Sequence, residues 1–260
     1  MFFPVTDDNS RSWIRYHYLT LVLIAACTLV YIFQIAGGPE AGQRLVLGLS
    51  IIPAVLWGEA RLTSELYLIP AWATLATSMF LHGGWMHLGG NMLFLWVFGD
   101  NVEDAMGHQR FLGFYLLCGI IAGLAHAAVY ADSQLPVLGA SGAVSGVLGA
   151  YFVLHPRVKV WIVMFALIPM RLPTFIVIGG WAVMQIAFTF MGGSGEGGGS
   201  QVAWFAHIAG FAAGALLVIP FRLSHVALWD PSDGGAIAVG GLRFRRRMRA
   251  ERKEGGGPWG

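Results

Sequence analysis

The sequence predicts an all-α polytopic membrane protein. Of its 260 residues, 56% are hydrophobic and 12% are charged, whereas a soluble domain carries about 25% charged residues; the mean hydropathy is +0.64. Six windows contain no Asp, Glu, Lys or Arg: 16–39, 66–99, 111–131, 133–156, 172–195 and 197–221. Each exceeds the roughly 20 residues that a membrane helix needs, and backbone groups in lipid must pair within their own segment. We therefore predict a bundle of six transmembrane helices.

The positions of lysine and arginine predict the orientation. With six spans and a cytoplasmic N-terminus, 14 of the 16 basic residues lie on the cytoplasmic side, and only Arg44 and Arg61 lie outside. This distribution follows the positive-inside rule. We expect a cytoplasmic lead at 1–16, a membrane domain at 17–220 and a basic, disordered cytoplasmic tail at 221–260.

The first span, about 17–36, has an alternative interpretation as a signal peptide, because basic residues precede it. It is longer than the usual apolar region of about 7–15 residues and shows no small-residue cleavage site, so a retained span is the better interpretation. The outer connection that follows it, 37–80, is apolar in patches and is expected at the membrane interface. The later segments are expected as spans at 85–99, 111–130, 139–156, 173–191 and 202–220, an inner turn at 100–110, an inner interfacial segment at 157–171 and a mobile glycine-rich loop at 192–201.

Cysteines and the basic tail exclude some classes of function. Cys27 and Cys118 both fall inside predicted spans, so neither suggests a disulfide framework or a zinc site. The basic run at 243–253 is compatible with nucleic-acid binding. A topology signal that contacts anionic lipid explains it better, and we predict no nucleic-acid partner.

Polar residues inside a span are costly and are candidates for function. His87 and Asn91 are four residues apart at the start of the second span, and hence on one helix face; His82 precedes them. These side chains could equally form an interfacial belt. A metal site lacks the expected neighbouring carboxylate, because none occurs between Glu65 and Asp100.

Ser141 lies in the small-residue run GASGAVSGVLGA at 139–150. Serine in a membrane helix is commonly a packing residue. Ser141, however, sits at a predicted helix start, where free N–H groups and the helix dipole favour a developing negative charge. A serine nucleophile needs such a place, and Gly139 and Gly142 allow other groups to approach closely.

His207 begins a glycine-bearing face in the sixth span, with Gly210 and Gly214 at i+3 and i+7. The fourth span presents a similar face, so we expect the two helices to pack closely. His207 could be a structural histidine bonded to a neighbouring helix. Within reach of Ser141, it would activate the hydroxyl.

Together these motifs resemble the rhomboid intramembrane serine proteases. The resemblance covers about residues 68–218. It rests on three motifs in order: His87-x-x-x-Asn91, Gly139-Ala140-Ser141-Gly142 and Ala206-His207-x-x-Gly210-x-x-x-Gly214.

The resemblance implies roles for these residues. Ser141 is the implied nucleophile and His207 the general base, with no third carboxylate, no cofactor and no metal. His87 and Asn91 are the implied oxyanion-binding side chains, joined by the Ser141 N–H. Possible support of the active site is assigned to His82, Gly139, Gly142 and Gly210.

The resemblance also implies the substrates and the location. The substrates are expected to be membrane proteins, cut in a transmembrane segment near the outer face, and the location a prokaryotic plasma membrane. We expect the loop at 192–201 to cap the site. The chain departs from the family pattern at Ala73, where an arginine often follows Trp72, and at Ser145, where an aromatic residue often supports the histidine.

Two other functions compete with this one. A non-catalytic relative would bind membrane clients, but would have lost the serine or the histidine. A small-solute or metal transporter would use His82, His87 and His207 and would be indifferent to Ser141.

Overall fold

A helix lies at each of the six predicted span positions in the computed structural model, which describes residues 2–9, 11–164, 168–191 and 203–229. The helices are α1 (Tyr18–Ala36), α2 (Gly38–Leu49), α3 (Pro53–Leu56), α4 (Thr74–Thr77), α5 (Trp85–Met106), α6 (His108–Val129), α7 (Ser141–Leu154), α8 (Thr174–Phe190) and α9 (Trp204–Phe221). Short 3-10 turns, Ala71–Ala73 and Ser78–Phe80, flank α4. The strands are β1 (Phe2–Asp7), β2 (Lys159–Met164) and β3 (Ile168–Pro173). The loop predicted at 192–201 and the tail beyond 229 lie outside the described residues.

The apolar helices are those of an integral membrane protein. By length and composition, α1, α6 and α9 can each cross a membrane, and α7 and α8 are shorter apolar helices. The 22-residue α5 is apolar in its first part and carries three carboxylates near its end.

The central helix of the bundle is α7, which packs against α5, α6, α8 and α9. Every residue from Gly142 to Tyr151 is buried. A Cβ atom on Gly146 would lie 3.3 Å from the carbonyl oxygen of Gly210, and one on Gly214 would lie 2.5 Å from the Cα of Gly146. The predicted close packing of the fourth and sixth spans is therefore confirmed, and glycine on both helices makes it possible.

The segment predicted as an inner turn at 100–110 is instead helical up to Met106, and the turn is made at Gly107 with φ +75°. The carboxylates in this segment accept hydrogen bonds from backbone N–H groups. Glu103 accepts bonds from the backbone N–H of Leu19 and Thr20 at 3.2 and 2.8 Å, and so caps the start of α1. The prediction is wrong here because Glu103 and Asp104 are buried and hydrogen-bonded within the protein rather than exposed to water.

Asp104 fixes the segment that precedes α1. Its carboxylate accepts the backbone N–H groups of Ser12, Trp13 and Ile14 at 2.6–2.7 Å. Hydrogen bonds to charged groups are roughly twice as strong as neutral ones. The N-terminal lead is thereby attached to the end of α5.

A three-stranded antiparallel sheet in the order β1-β2-β3 lies at the same end of the bundle. It contains most of the segment expected along the inner interface at 157–171. In β2, exposed Lys159 and Trp161 alternate with buried Val160 and Ile162. This alternation marks a half-buried strand, but its partner, β1, lies at the start of the chain, and no local pattern connects the two.

We predict that Gly214→Ala destabilises the protein, because the new methyl group would meet the backbone of Gly146. Overpacking typically costs about 1–3 kcal/mol, and we expect a loss of that size in the free energy of unfolding, measured by denaturant titration in detergent. Gly180→Ala in α8 is the matched control, since nothing lies within 4 Å of its Cβ position. Equal stability of the two variants would contradict the packing described here.

We also predict that attachment of β1 weakens as the pH rises. Asp7 accepts hydrogen bonds from the Tyr151 hydroxyl and, at 2.9 Å, from Asn101 Nδ2. Burial raises the pKa of Asp7 from 3.8 to about 7, and Asp100 acts in the same direction while the Tyr151 bond opposes it. Because the folded state favours the protonated form, its stabilising contribution is full below about pH 4 and is lost between about pH 4 and 7.

The measurement is hydrogen exchange of β1, corrected for intrinsic rates, from pH 4.5 to 8. Protection should fall with pH in the wild type and vary much less in Asp7→Asn. Asp8→Asn removes the neighbouring carboxylate, which bonds to Arg171, and should keep the wild-type dependence. A flat wild-type profile would refute the assignment.

Candidate active site

A cavity of about 690 Å³ lies among the helices and is lined by α5, α6, α7, α8 and α9. Ser141, His207, His87 and Asn91 all line it. The structure therefore brings together the four side chains to which the sequence assigned nucleophile, base and oxyanion roles. Their placement depends on two helix starts, those of α5 and α7, and on the first turn of α9.

The loop before Ser141 is held by the outer connection. Val137 and Ile51 exchange backbone hydrogen bonds at 2.7 and 3.0 Å, and the Gly139 N–H donates to the carbonyl of Ser78 at 2.9 Å. No side chain caps α7, and the first N–H groups of a helix have no partner within it. Ser141 thus begins a helix whose positive end faces the cavity.

Gly139 packs directly on the two predicted oxyanion-binding side chains. Its φ of +116° is a conformation that favours glycine. A Cβ atom there would lie 2.6 Å from Cε1 and 2.7 Å from Nε2 of His87, and 3.7 Å from Nδ2 of Asn91. The absence of a side chain at this position lets the His87 ring lie against the backbone that precedes Ser141.

His87 and Asn91 each offer a hydrogen-bond donor in the cavity wall. The Gly83 N–H points to Nδ1 of His87 at 3.5 Å, which favours the tautomer that carries its proton on Nε2. The Asn91 Nδ2 is buried and has no hydrogen-bond partner among the residues that the structure describes. A buried unpaired donor is costly, and a developing oxyanion would satisfy it.

His207 is bonded to a residue that the sequence analysis did not select. Its Nδ1 lies 2.8 Å from Oε1 of Gln185, a buried side chain on α8. A polar residue in an otherwise apolar span was the available signal. The residue lies outside the three sequence motifs, and only the packing of α8 against α9 brings it to His207.

The position of Ser145, where the family often has an aromatic residue, is filled differently. Its hydroxyl donates to the carbonyl of Ser141 at 2.6 Å within the same helix. Aromatic contact with His207 comes instead from Trp181, with ring centroids 6.2 Å apart, and from Trp204 at 6.0 Å. The histidine is thus flanked from α8 and from its own helix rather than from α7.

His82, assigned to possible support, lies behind the cavity wall. It is fully buried, and its ring meets that of His87 edge to face at 5.3 Å between centroids. Gln34 fixes its backbone, donating to the His82 carbonyl at 2.8 Å and accepting its N–H at 3.3 Å. Its position suits support of His87 rather than contact with a substrate.

Two glycines in the same group serve packing. A Cβ on Gly142 would lie 2.7 Å from Cβ of Ala122 on α6, and one on Gly210 would meet the Gly142 carbonyl group.

His126, to which the sequence assigned no role, lines the cavity, and its Nδ1 is buried without a hydrogen-bond partner among the described residues. In the part of the chain that the structure describes, no group of three or more His, Cys, Asp or Glu side chains could hold a metal ion.

Comparison with known proteins agrees with this arrangement. Residues 70–224 match the family model of the rhomboid domain, close to the range expected from the motifs. The chain is 34% identical over 67% of its length to rhomboid-like protein 11, chloroplastic, of Arabidopsis thaliana, covering 62% of that protein. It is 32% identical over 55% of its length to the rhomboid protease GluP of Bacillus subtilis, covering 25% of it.

A third relative is the rhomboid protease AarA of Providencia stuartii, 29% identical over 51% of the chain and 49% of that protein. The chain thus spans between 25% and 62% of the length of these relatives. They come from a chloroplast and from bacteria, so they do not point to a single compartment. The prokaryotic plasma membrane stays a prediction. The family match covers more than half of the chain and includes every residue of the cavity to which the sequence assigned a role, and the chain belongs to the rhomboid family.

Proposed function

We propose that the chain is an intramembrane serine endopeptidase that uses Ser141 and His207 to cut transmembrane segments of membrane proteins near the outer face. One observation carries the proposal: a serine at a helix start, a histidine and an unpaired buried amide, that of Asn91, line one cavity among apolar helices. Two of the relatives bear the name protease.

The first step is acylation. His207 takes the hydroxyl proton of Ser141 as the oxygen attacks the carbonyl carbon of the scissile peptide bond. The resulting oxyanion accepts hydrogen bonds from His87, Asn91 and the Ser141 N–H, and loss of one such donor costs roughly 10²–10³ in rate. His207 then gives its proton to the leaving amine, and an acyl-enzyme remains.

Water completes the reaction. His207 takes a proton from a water molecule that attacks the ester carbonyl, and returns it to the Ser141 oxygen as the carboxylic acid departs.

The peptide bonds of a helix are engaged in its internal hydrogen bonds and are inaccessible to a nucleophile until the helix unwinds. Substrates with small or helix-breaking residues near the outer face should therefore be preferred.

The first test compares wild type with Ser141→Ala and His207→Ala in detergent, using a model transmembrane substrate. Wild type should cleave it, and the two variants should lose activity at least 10³-fold. Ser145→Ala is the matched control, since its hydroxyl bonds only to the backbone carbonyl of its own helix among the contacts described; it should keep its activity.

The same experiment separates the competing functions. A non-catalytic client-binding protein would leave the substrate intact with wild type, while still retaining it in a pull-down. A small-solute or metal transporter would show uptake in proteoliposomes that is unaffected by Ser141→Ala. Either result would refute the protease.

A second prediction concerns the cavity wall. Gly139→Ala should lower kcat/KM at least 10²-fold, because the methyl group would clash with the His87 ring and the φ of +116° disfavours alanine. Gly84→Ala, in the same cavity wall and with nothing within 4 Å of its Cβ position, should retain activity. Labelling of Ser141 by a fluorophosphonate, followed by mass spectrometry, gives the same comparison without a peptide substrate. Equal rates for the two variants would contradict the proposed site.

A further inference from the structure

We propose that Gln185 is the positioning residue of His207: its side-chain oxygen accepts the Nδ1 proton and keeps the lone pair on Nε2, available to Ser141. The proposal rests on the proposed function, because a base is needed only if Ser141 is a nucleophile. It assigns to a neutral amide on α8 the place that a carboxylate occupies in a three-residue catalytic system.

The contact is direct and buried. Oε1 of Gln185 lies 2.8 Å from Nδ1 of His207, within the range of a good hydrogen bond. The Gln185 residue is 2% exposed. A neighbouring polar side chain, Thr189, bonds to the backbone carbonyl of Gln185 and not to its amide group.

The apolar surroundings of Gln185 make an unpaired amide at this position unfavourable. Gln185 lies in the apolar run TFIVIGGWAVMQIAFTF of α8. Burying an amide without a hydrogen-bond partner destabilises the folded protein. The amide oxygen offsets that cost by accepting the imidazole proton, and the bond fixes the ring at the same time.

The direction of the bond decides whether His207 can act as a base. A neutral imidazole carries one proton, on either Nδ1 or Nε2. An acceptor opposite Nδ1 keeps the proton there, whereas a donor at that point would leave Nε2 protonated and unable to accept from Ser141. The structure places the oxygen of the Gln185 amide, the acceptor, toward Nδ1.

A neutral acceptor also suits the surroundings. His87 on α5 and His126 on α6 are the titratable side chains that interact electrostatically with His207, and Trp181 and Trp204 flank its ring. A carboxylate at position 185 would place a full charge among apolar helices, where it must be desolvated. An amide orients the imidazole without that charge.

The kinetic test uses two substitutions of opposite character. Gln185→Met keeps the length of the side chain and removes the strong acceptor, so kcat should fall roughly 10²-fold with little change in KM. Gln185→Glu keeps an acceptor that cannot donate when ionised, so it should recover at least a tenth of the wild-type kcat.

The pH profile supplies a result that a purely structural role would not produce. In Gln185→Glu the new carboxylate favours the protonated imidazole, so the acidic limb of kcat/KM should move to higher pH than in wild type. Thr189→Val, one turn away on the same helix, is the matched control and should leave both kcat and the profile unchanged.

Nitrogen-15 NMR of the histidine ring reads the tautomer without any cleavage assay. In a Ser141→Ala background in detergent, His207 should carry its proton on Nδ1; adding Gln185→Met should produce a mixture with the Nε2–H form, and adding Gln185→Glu should not. A thermal melt of each variant confirms that it is folded.

The outcomes distinguish the two proposals. If folded Gln185→Met keeps the wild-type tautomer or the wild-type kcat, the positioning role is overturned. If wild type cleaves no substrate while the tautomer responds as expected, the contact stands and the protease is refuted.

Discussion

The close approach of α7 and α9 is the constraint on which the rest of the structure depends. The two helices carry Ser141 and His207 in their first turns, and glycine carbonyls of one helix lie against glycine Cα atoms of the other. The hydrophobic effect contributes little to the association of helices in lipid, so close van der Waals packing has to hold them together. The same contact therefore supports both the stability of the bundle and the alignment of two side chains from distant parts of the sequence.

Polar groups in this bundle are distributed by their charge. At the end near β1, the buried polar groups include the carboxylates of Glu103 and Asp104, which accept hydrogen bonds from backbone N–H groups. Around the cavity the orienting groups are neutral amides, with Gln34 on the His82 backbone and Gln185 on the His207 ring. Because the cost of burying an unpaired charge far exceeds that of burying an amide, this division is what a largely apolar interior requires.

Much of the fold could be predicted from the sequence, because windows without charge are a direct consequence of bilayer thickness. The boundaries at charged residues were less reliable. The segment 100–106 extends α5, and its carboxylates on Glu103 and Asp104 bind backbone groups that are distant in sequence. The sheet was not foreseen either, because β1 and β2 meet only through the tertiary fold.

The site shows the same division. Ser141, His207, His87 and Asn91 occur in recognisable local patterns, and all four line the cavity. Gln185 and His126 do not occur in such patterns, since each acquires its neighbours only when α8 and α6 pack around α7. A single polar residue in an apolar span is the only local sign of either residue, and it does not indicate which neighbour the side chain will meet.

The pairing of β1 with β2 bears on how the chain is made. β1 waits for a partner strand that follows about 150 residues later in the sequence, and contacts between such distant segments form slowly. Closure of the sheet is thus a late event of biosynthesis, after most of the bundle has been inserted. A substitution that weakens β1 would therefore act on this late step rather than on the insertion of the helices.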